Sequence, residues 1–158
     1  MKTIIFHVRS RPDNPELGYG DLVQVFDGDN NLYGGHGSTC PNPYKTLEIG
    51  RKPWTKLYGW IDNQTTTFEC VEHDRYGKCL LINSGFPVAS RVPNPNHDGA
   101  YIITEVFVHT GAHKSNNKRW RGSAGCLTIP PEDWDNFISL FEICEKGQLT
   151  IKPYMESK

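Results

Sequence analysis

Apolar and β-branched residues in this chain come in short runs, and each run is soon closed by glycine, proline or an Asn/Asp cluster. That punctuation constrains the fold more than any other feature. Long helical periodicity has little room between the breakers, whereas short strands fit well. The 15 glycines and 11 prolines supply the breaks, and Tyr, Trp, Phe, Val, Ile and Thr fill the runs. The expectation is a mainly β fold rich in turns. It forms one domain over residues 1–158, long enough to build its own core.

Read in order, strands are expected at 3–8, 22–26, 32–33, 46–49, 56–61, 65–71 and 78–82. Asp27-Gly28-Asp29-Asn30-Asn31 is a turn that makes a hairpin of the second and third. Residues 34–43 read as a flexible loop containing His36 and Cys40, and 83–99 as a long loop carrying Pro87, Pro93 and Pro95. Residues 101–108 form the longest strand-like run, apolar enough for a central strand buried on both faces. After a brief strand at 127–129, Pro130 and Pro131 open a helix expected to reach Cys144. Trp134, Phe137, Ile138, Phe141 and Cys144 would share its core-facing stripe. Gly147 is read as its end, with a last strand at 148–151.

Charge is nearly balanced, with 17 Lys+Arg against 18 Asp+Glu. No bulk attraction to nucleic acid or to an anionic membrane follows, and no apolar run is long enough to span a bilayer as a helix. Residues 1–10 start like a signal sequence, but His7 and Arg9 break the apolar run. A first strand is the reading there, with no recognisable secretion signal. The five cysteines are Cys40, Cys70, Cys79, Cys126 and Cys144. Cys70 and Cys79 flank what reads as a hairpin tip. Either a disulfide joins them or all five remain thiols, and the odd count leaves at least one thiol without an internal partner.

The chemistry concentrates between Val106 and Ile129. An apolar run ends on His109, a basic loop follows, and the chain returns through Gly122-Ser123-Ala124-Gly125 to Cys126. A histidine at the mouth of one strand and a cysteine at the mouth of the next can meet at one sheet edge. That is the arrangement a thiol nucleophile and its base require. Cys126 is the candidate nucleophile and His109 the candidate base. Gly125 would permit a tight entry turn, and backbone N–H groups from Ser123 to Cys126 could stabilise an oxyanion. Ser123 could orient His109 or hold the turn. Arg119 and Arg121 could grip a substrate carboxylate in bidentate fashion.

His109-Thr110-Gly111, a polar loop, and then Ser123-Ala124-Gly125-Cys126-Leu127 together resemble the signature of the L,D-transpeptidase catalytic domain family. The match covers about the last third of the chain. The sequence departs from the family pattern at Ala124, often His, and at Thr128, commonly Arg or Asn. The resemblance implies a β-sandwich or barrel with one C-terminal helix and no cofactor or metal. It implies Cys126 as the nucleophile, His109 as the base, and Ser123 and Gly125 as the supporting turn of the catalytic set; Gly111, His113, Arg119 and Arg121 are the substrate-binding candidates beside it. The implied reaction is acyl transfer on peptidoglycan stem peptides. The Cys attacks the bond after the diamino acid of a tetrapeptide and D-Ala leaves. An amine then yields a crosslink or an exchanged D-amino acid, and water yields carboxypeptidase activity. Such chemistry belongs in the periplasm or cell wall. A family relative delivered as an antibacterial effector would also have a delivery or immunity partner.

Two other classes fit parts of the pattern. His109, His113 and Cys126, with His36 or Cys40, could hold zinc in a hydrolase, although Thr110-Gly111 after a strand argues against the helix such a His pair favours. A non-catalytic wall-binding β domain could use its four tryptophans and seven tyrosines to stack on sugar rings.

Overall fold

A computed structural model of the chain describes residues 1–9, 19–39, 59–111 and 126–155. They form a mainly β structure with one α-helix. The strands are β1 Lys2–Val8, β2 Asp21–Asp27, β3 Asn30–Gly37, β4 Gln64–His73 and β5 Gly77–Ile82. They continue with β6 Val88–Asn94, β7 Ala100–Ile103, β8 Phe107–Thr110, β9 Leu127–Ile129 and β10 Lys146–Pro153. Helix α1 spans Pro131–Ile138. No helix among the described residues is long and apolar enough to cross a membrane.

Eight strands make one sheet in the order β3-β2-β1-β10-β4-β5-β8-β9, and β6 pairs with β7 in a small second sheet. The large sheet curls until its two edges meet. Ser38, just after β3, exchanges backbone hydrogen bonds with Thr128 of β9 at 2.8 and 2.9 Å. The result is a nearly closed barrel, which removes most of the exposed edge that an open sheet would carry. Gly37 makes the seam possible. A Cβ there would lie 2.8 Å from both the Thr128 carbonyl and a Val23 methyl. Residues 34–37, expected as loop, are therefore strand, and Gly35 and Gly37 serve close approach, to the Tyr33 ring and to the seam.

Alternation along each strand fills the barrel. Ile4 and Phe6 of β1, Val23 and Val25 of β2, Leu149 and Ile151 of β10 and Val108 of β8 are fully buried. The helix links distant parts of the wall. Phe137 meets Tyr33 of β3 edge-on at 5.5 Å, and Phe141, just beyond the helix, meets Phe68 of β4 at 5.2 Å. At the seam, buried Asp21 accepts hydrogen bonds from Arg9 N–H and Thr39 N–H, each 2.7 Å, and from the Thr39 hydroxyl at 2.8 Å.

Four expectations need correction. The helix ends at Ile138 rather than Cys144, because tertiary hydrogen bonds take over the chain. Cys144 donates its N–H to the Cys70 carbonyl at 2.8 Å, has φ 75°, and is exposed. Gly147 lies inside β10 and is not a helix end. A side chain there would collide with the Lys2 carbonyl and the Phe68 ring. The expected 83–99 loop contains β6. The expected single strand at 101–108 is two strands in different sheets, broken where Glu105 turns to φ 54°. The Glu105 N–H donates to the Gly85 carbonyl at 3.2 Å, which anchors the break.

Cys70 and Cys79 are both buried thiols. Cys70 lies opposite Leu80, and Cys79 opposite Val71. Neighbouring residues on a strand point to opposite faces, so the two sulfurs are on different sides of the sheet and no disulfide joins them. The expected strand at 46–49 and most of that at 56–61 lie outside the described residues.

Candidate active site

Strands β8 and β9 run parallel, with Val108 opposite Leu127, His109 opposite Thr128 and Thr110 opposite Ile129. Val108, Leu127 and Ile129 face the core and are fully buried. The other side of the sheet, away from the core, carries Phe107 and His109. The register sets Cys126 beside Phe107. The Phe107 backbone N–H donates to Cys126 Sγ at 3.4 Å. His109 is two residues further along β8, roughly 7 Å by the rise of a strand. Its imidazole is therefore on the same face as the Phe107 ring.

His109 is 3% exposed. Its Nδ1 donates to the Thr110 carbonyl at 2.7 Å. That bond places the proton on Nδ1 and leaves the Nε2 lone pair to accept one. Burial lowers the His109 pKa below the ordinary value. The Thr110 hydrogen bond opposes that shift, while Arg75 and His73 nearby add to it. Cys126 is partly buried. Burial pushes its thiol up to about 11, against the pull of the Phe107 N–H. Burial thus favours the neutral form of each group.

The β4–β5 hairpin tip completes the site. The Tyr76 ring stacks on His109, with centroids 4.1 Å apart and planes 5° apart. A charge on Cys126 would raise the Tyr76 pKa further, which puts the sulfur near the phenol and on the imidazole's side of the sheet. The Arg75 guanidinium lies over the Tyr76 ring, 5.6 Å from its centroid. His73 holds the tip in shape. Its Nδ1 accepts from Arg75 N–H at 3.0 Å and Tyr76 N–H at 3.3 Å. The His73 ring stacks with Tyr76 at 4.8 Å and meets Phe107 edge-on at 4.9 Å. One imidazole therefore braces both the residue that covers His109 and the residue whose N–H reaches the Cys126 sulfur.

Sequence reasoning took residues 71–78 for an ordinary hairpin tip and missed His73, Arg75 and Tyr76. The turn signal ending in Gly77, φ 69°, was visible. Nothing local said which strands the tip would fold over. Cys79 shares the same face, since Leu81, two residues on, pairs with Phe107. Its thiol is pushed up to about 12, mainly by burial.

Of the other expected site residues, Gly111 continues the β8–β9 ladder by donating its N–H to the Ile129 carbonyl at 2.9 Å. Its place is at the exit of β8, beyond His109. Ser123, Gly125, Arg119, Arg121 and His113 lie outside the described residues, as does Cys40. His36 is an exposed residue of β3, opposite Leu22. Among the described residues, no three His, Cys, Asp or Glu side chains are grouped so as to hold a metal ion.

In comparison with known proteins, no protein-family model, no curated protein and no solved structure matches the chain.

Proposed function

We propose that the protein is a cysteine acyltransferase of the L,D-transpeptidase type, acting on peptidoglycan stem peptides. The observation that supports this most is the pairing on β8 and β9. The sulfur of Cys126 is tethered by the Phe107 N–H on the face that carries His109, whose Nε2 is left as a proton acceptor.

In the proposed reaction His109 Nε2 takes the thiol proton while Cys126 Sγ attacks the carbonyl carbon after the diamino acid. The carbonyl oxygen becomes an oxyanion. When it collapses, the bond to the D-Ala nitrogen breaks and His109 returns the proton to the leaving amine. The acyl group now sits on sulfur as a thioester. An incoming amine or water, deprotonated by the same imidazole, attacks that thioester and restores the thiol. A buried, neutral imidazole suits this work because it can both accept and return the proton near neutral pH.

The test is incubation with disaccharide-tetrapeptide fragments and mass spectrometry of the products. Loss of terminal D-Ala, or its exchange for another amino acid, is expected, together with an acyl adduct located on Cys126. Unchanged tri-, tetra- and pentapeptide stems would overturn the proposal. So would activity that survives Cys126→Ala.

A further inference from the structure

A cleft of about 480 Å³ opens on the outer face of β1, β2, β3 and β10. Its lining includes His7, Leu22, Gln24, Gly34, Lys152 and Tyr154, and it shares no residue with the His109–Cys126 site. Strand alternation explains the set. Phe6, Val23, Val25 and Ile151 are buried in the core, so their neighbours His7, Leu22, Gln24 and Lys152 are turned outward. Register then brings these together, with His7 opposite both Leu22 and Lys152, and Gln24 opposite Gly34.

The cleft is basic in a chain whose formal net charge is −1. Lys152 has no ion-pair partner among the described residues, and none of the lining residues is acidic. The Arg9 guanidinium, 5.4 Å from the centroid of the Tyr154 ring, adds a further positive charge beside it. Asp21, next to Leu22 in sequence, is buried, and its carboxylate already accepts hydrogen bonds from Arg9 N–H and from the Thr39 N–H and hydroxyl. Gln24 Oε1 accepts from His7 Nε2 at 2.7 Å, which leaves the Gln24 amide hydrogens to donate elsewhere. Cations and hydrogen-bond donors thus collect on one face, and Leu22 and Tyr154 add apolar surface to it.

Gly34 is the independent observation. A glycine inside a strand weakens it. Gly37 and Gly147 are excused by neighbours that leave no room for a side chain, but Gly34 is not, since a Cβ there would meet no described atom within 4 Å. Its φ is not left-handed, and the ladder is regular where it faces Gln24, the bulge falling instead at Val25 and Phe26. The space a side chain would take is the cleft itself. A bare strand backbone with no packing reason marks the close approach of a ligand, and the Gly34–Gly35 floor suits a flat one. We infer that this cleft binds a small oxyanion carried on a ring, a carboxylate or a phosphate, with its charge at Lys152 and His7 and its ring over the backbone of Gly34 and Gly35. The site is separate from the acyl-transfer reading and does not depend on it.

The test is titration of the full chain with phenyl phosphate, benzoate and the neutral benzyl alcohol at fixed pH and ionic strength, read from the backbone amide NMR shifts of Gln24, Gly34 and Gly35. Saturable shifts are expected with phenyl phosphate or benzoate, and the tighter of the two names the head group. Benzyl alcohol should bind about tenfold or more weakly. Lys152→Gln should weaken the anion by about tenfold. Gly34→Val should abolish binding while the melting temperature rises, because a β-branched residue suits a strand with open space above it. Cys126→Ala should bind as the unaltered protein does. No binding of either anion, equal binding of benzyl alcohol, or binding that survives Gly34→Val or Lys152→Gln would overturn the inference. So would a fall in melting temperature for Gly34→Val, which would show that the fold itself needs the glycine, or loss of binding in Cys126→Ala, which would put the anion at the thiol.

Discussion

The ring of Tyr76 lies flat on the ring of His109, 4.1 Å between centroids and 5° between planes. An aromatic face that close to an imidazole excludes water from one side of it. It is therefore one source of the burial that lowers the His109 pKa. Tyr76→Ala should rehydrate the imidazole and move its titration up toward the ordinary 6.5. Tyr76→Phe keeps the stack and should leave it low. The measurement is an NMR titration of the His109 ring protons in each variant. The stack also contributes on the order of 1 kcal/mol to stability, which Tyr76→Ala should lose.

His73 should act as a positioning residue. Its Nδ1 satisfies the two backbone N–H groups that shape the tip carrying Tyr76. His73→Ala leaves those donors to water and should loosen the tip by about 1–2 kcal/mol. In the variant, the His109 titration should move up as it does for Tyr76→Ala, because the cover has shifted. His73→Asn offers an acceptor of similar reach and should recover part of the effect. Unchanged His109 behaviour in His73→Ala would mean the tip is held by other contacts.

Stability should pass through a plateau bounded by two burial effects of opposite sign. The His109 pKa is lowered in the fold, so as pH falls through 6.5 the unfolded chain takes up a proton the folded one refuses. Stability then drops on the acid side. The thiols of Cys126 and Cys79 are raised from 9.0 to about 11 and about 12. Above about pH 9 the unfolded chain sheds protons the folded chain keeps, and stability drops again. Melting temperatures across this range should form a dome with its top between the two limits. A midpoint still climbing at about pH 10 would contradict the buried, protonated thiols.

Thr128 lies opposite His109, and its hydroxyl is buried with no hydrogen-bond partner among the described residues. Thr128→Val keeps the shape and removes an unsatisfied polar atom. The variant should be more stable by about 1 kcal/mol, as read from denaturant midpoints at constant m. A loss of stability would show that the hydroxyl has a partner in solution.

Strand positions were legible wherever alternation met a clear turn, as in β1, β2, β4, β5 and β9. The focus on His109 and Cys126 came from local pattern, and the structure sets His109 on β8 and Cys126 just before the adjacent parallel strand β9. What the sequence hid was decided at long range. No glycine or proline marks the break at Glu105, since a hydrogen bond to Gly85 and the claims of two sheets make it. Gly147 looked like a helix stop, yet its small size answers to Phe68, far off in sequence. The Asp74-Arg75-Tyr76-Gly77 turn gave no hint that its tyrosine would cover a histidine two strands away.

Strand β10 runs between β1 and β4, parallel to the one and antiparallel to the other. Its place in the order has a consequence for synthesis. The meander of β1–β2–β3 and the group of β4, β5, β8 and β9 can each begin to pair as they leave the ribosome, but apart from the Ser38–Thr128 seam they have no shared border until residue 153 has emerged. Until then both halves present an open edge flanking the gap, the state in which nascent β proteins are most prone to mispair. Strands β8 and β9, beside which His109 and Cys126 sit, can thus pair before β10 arrives to join the two groups of strands across the gap.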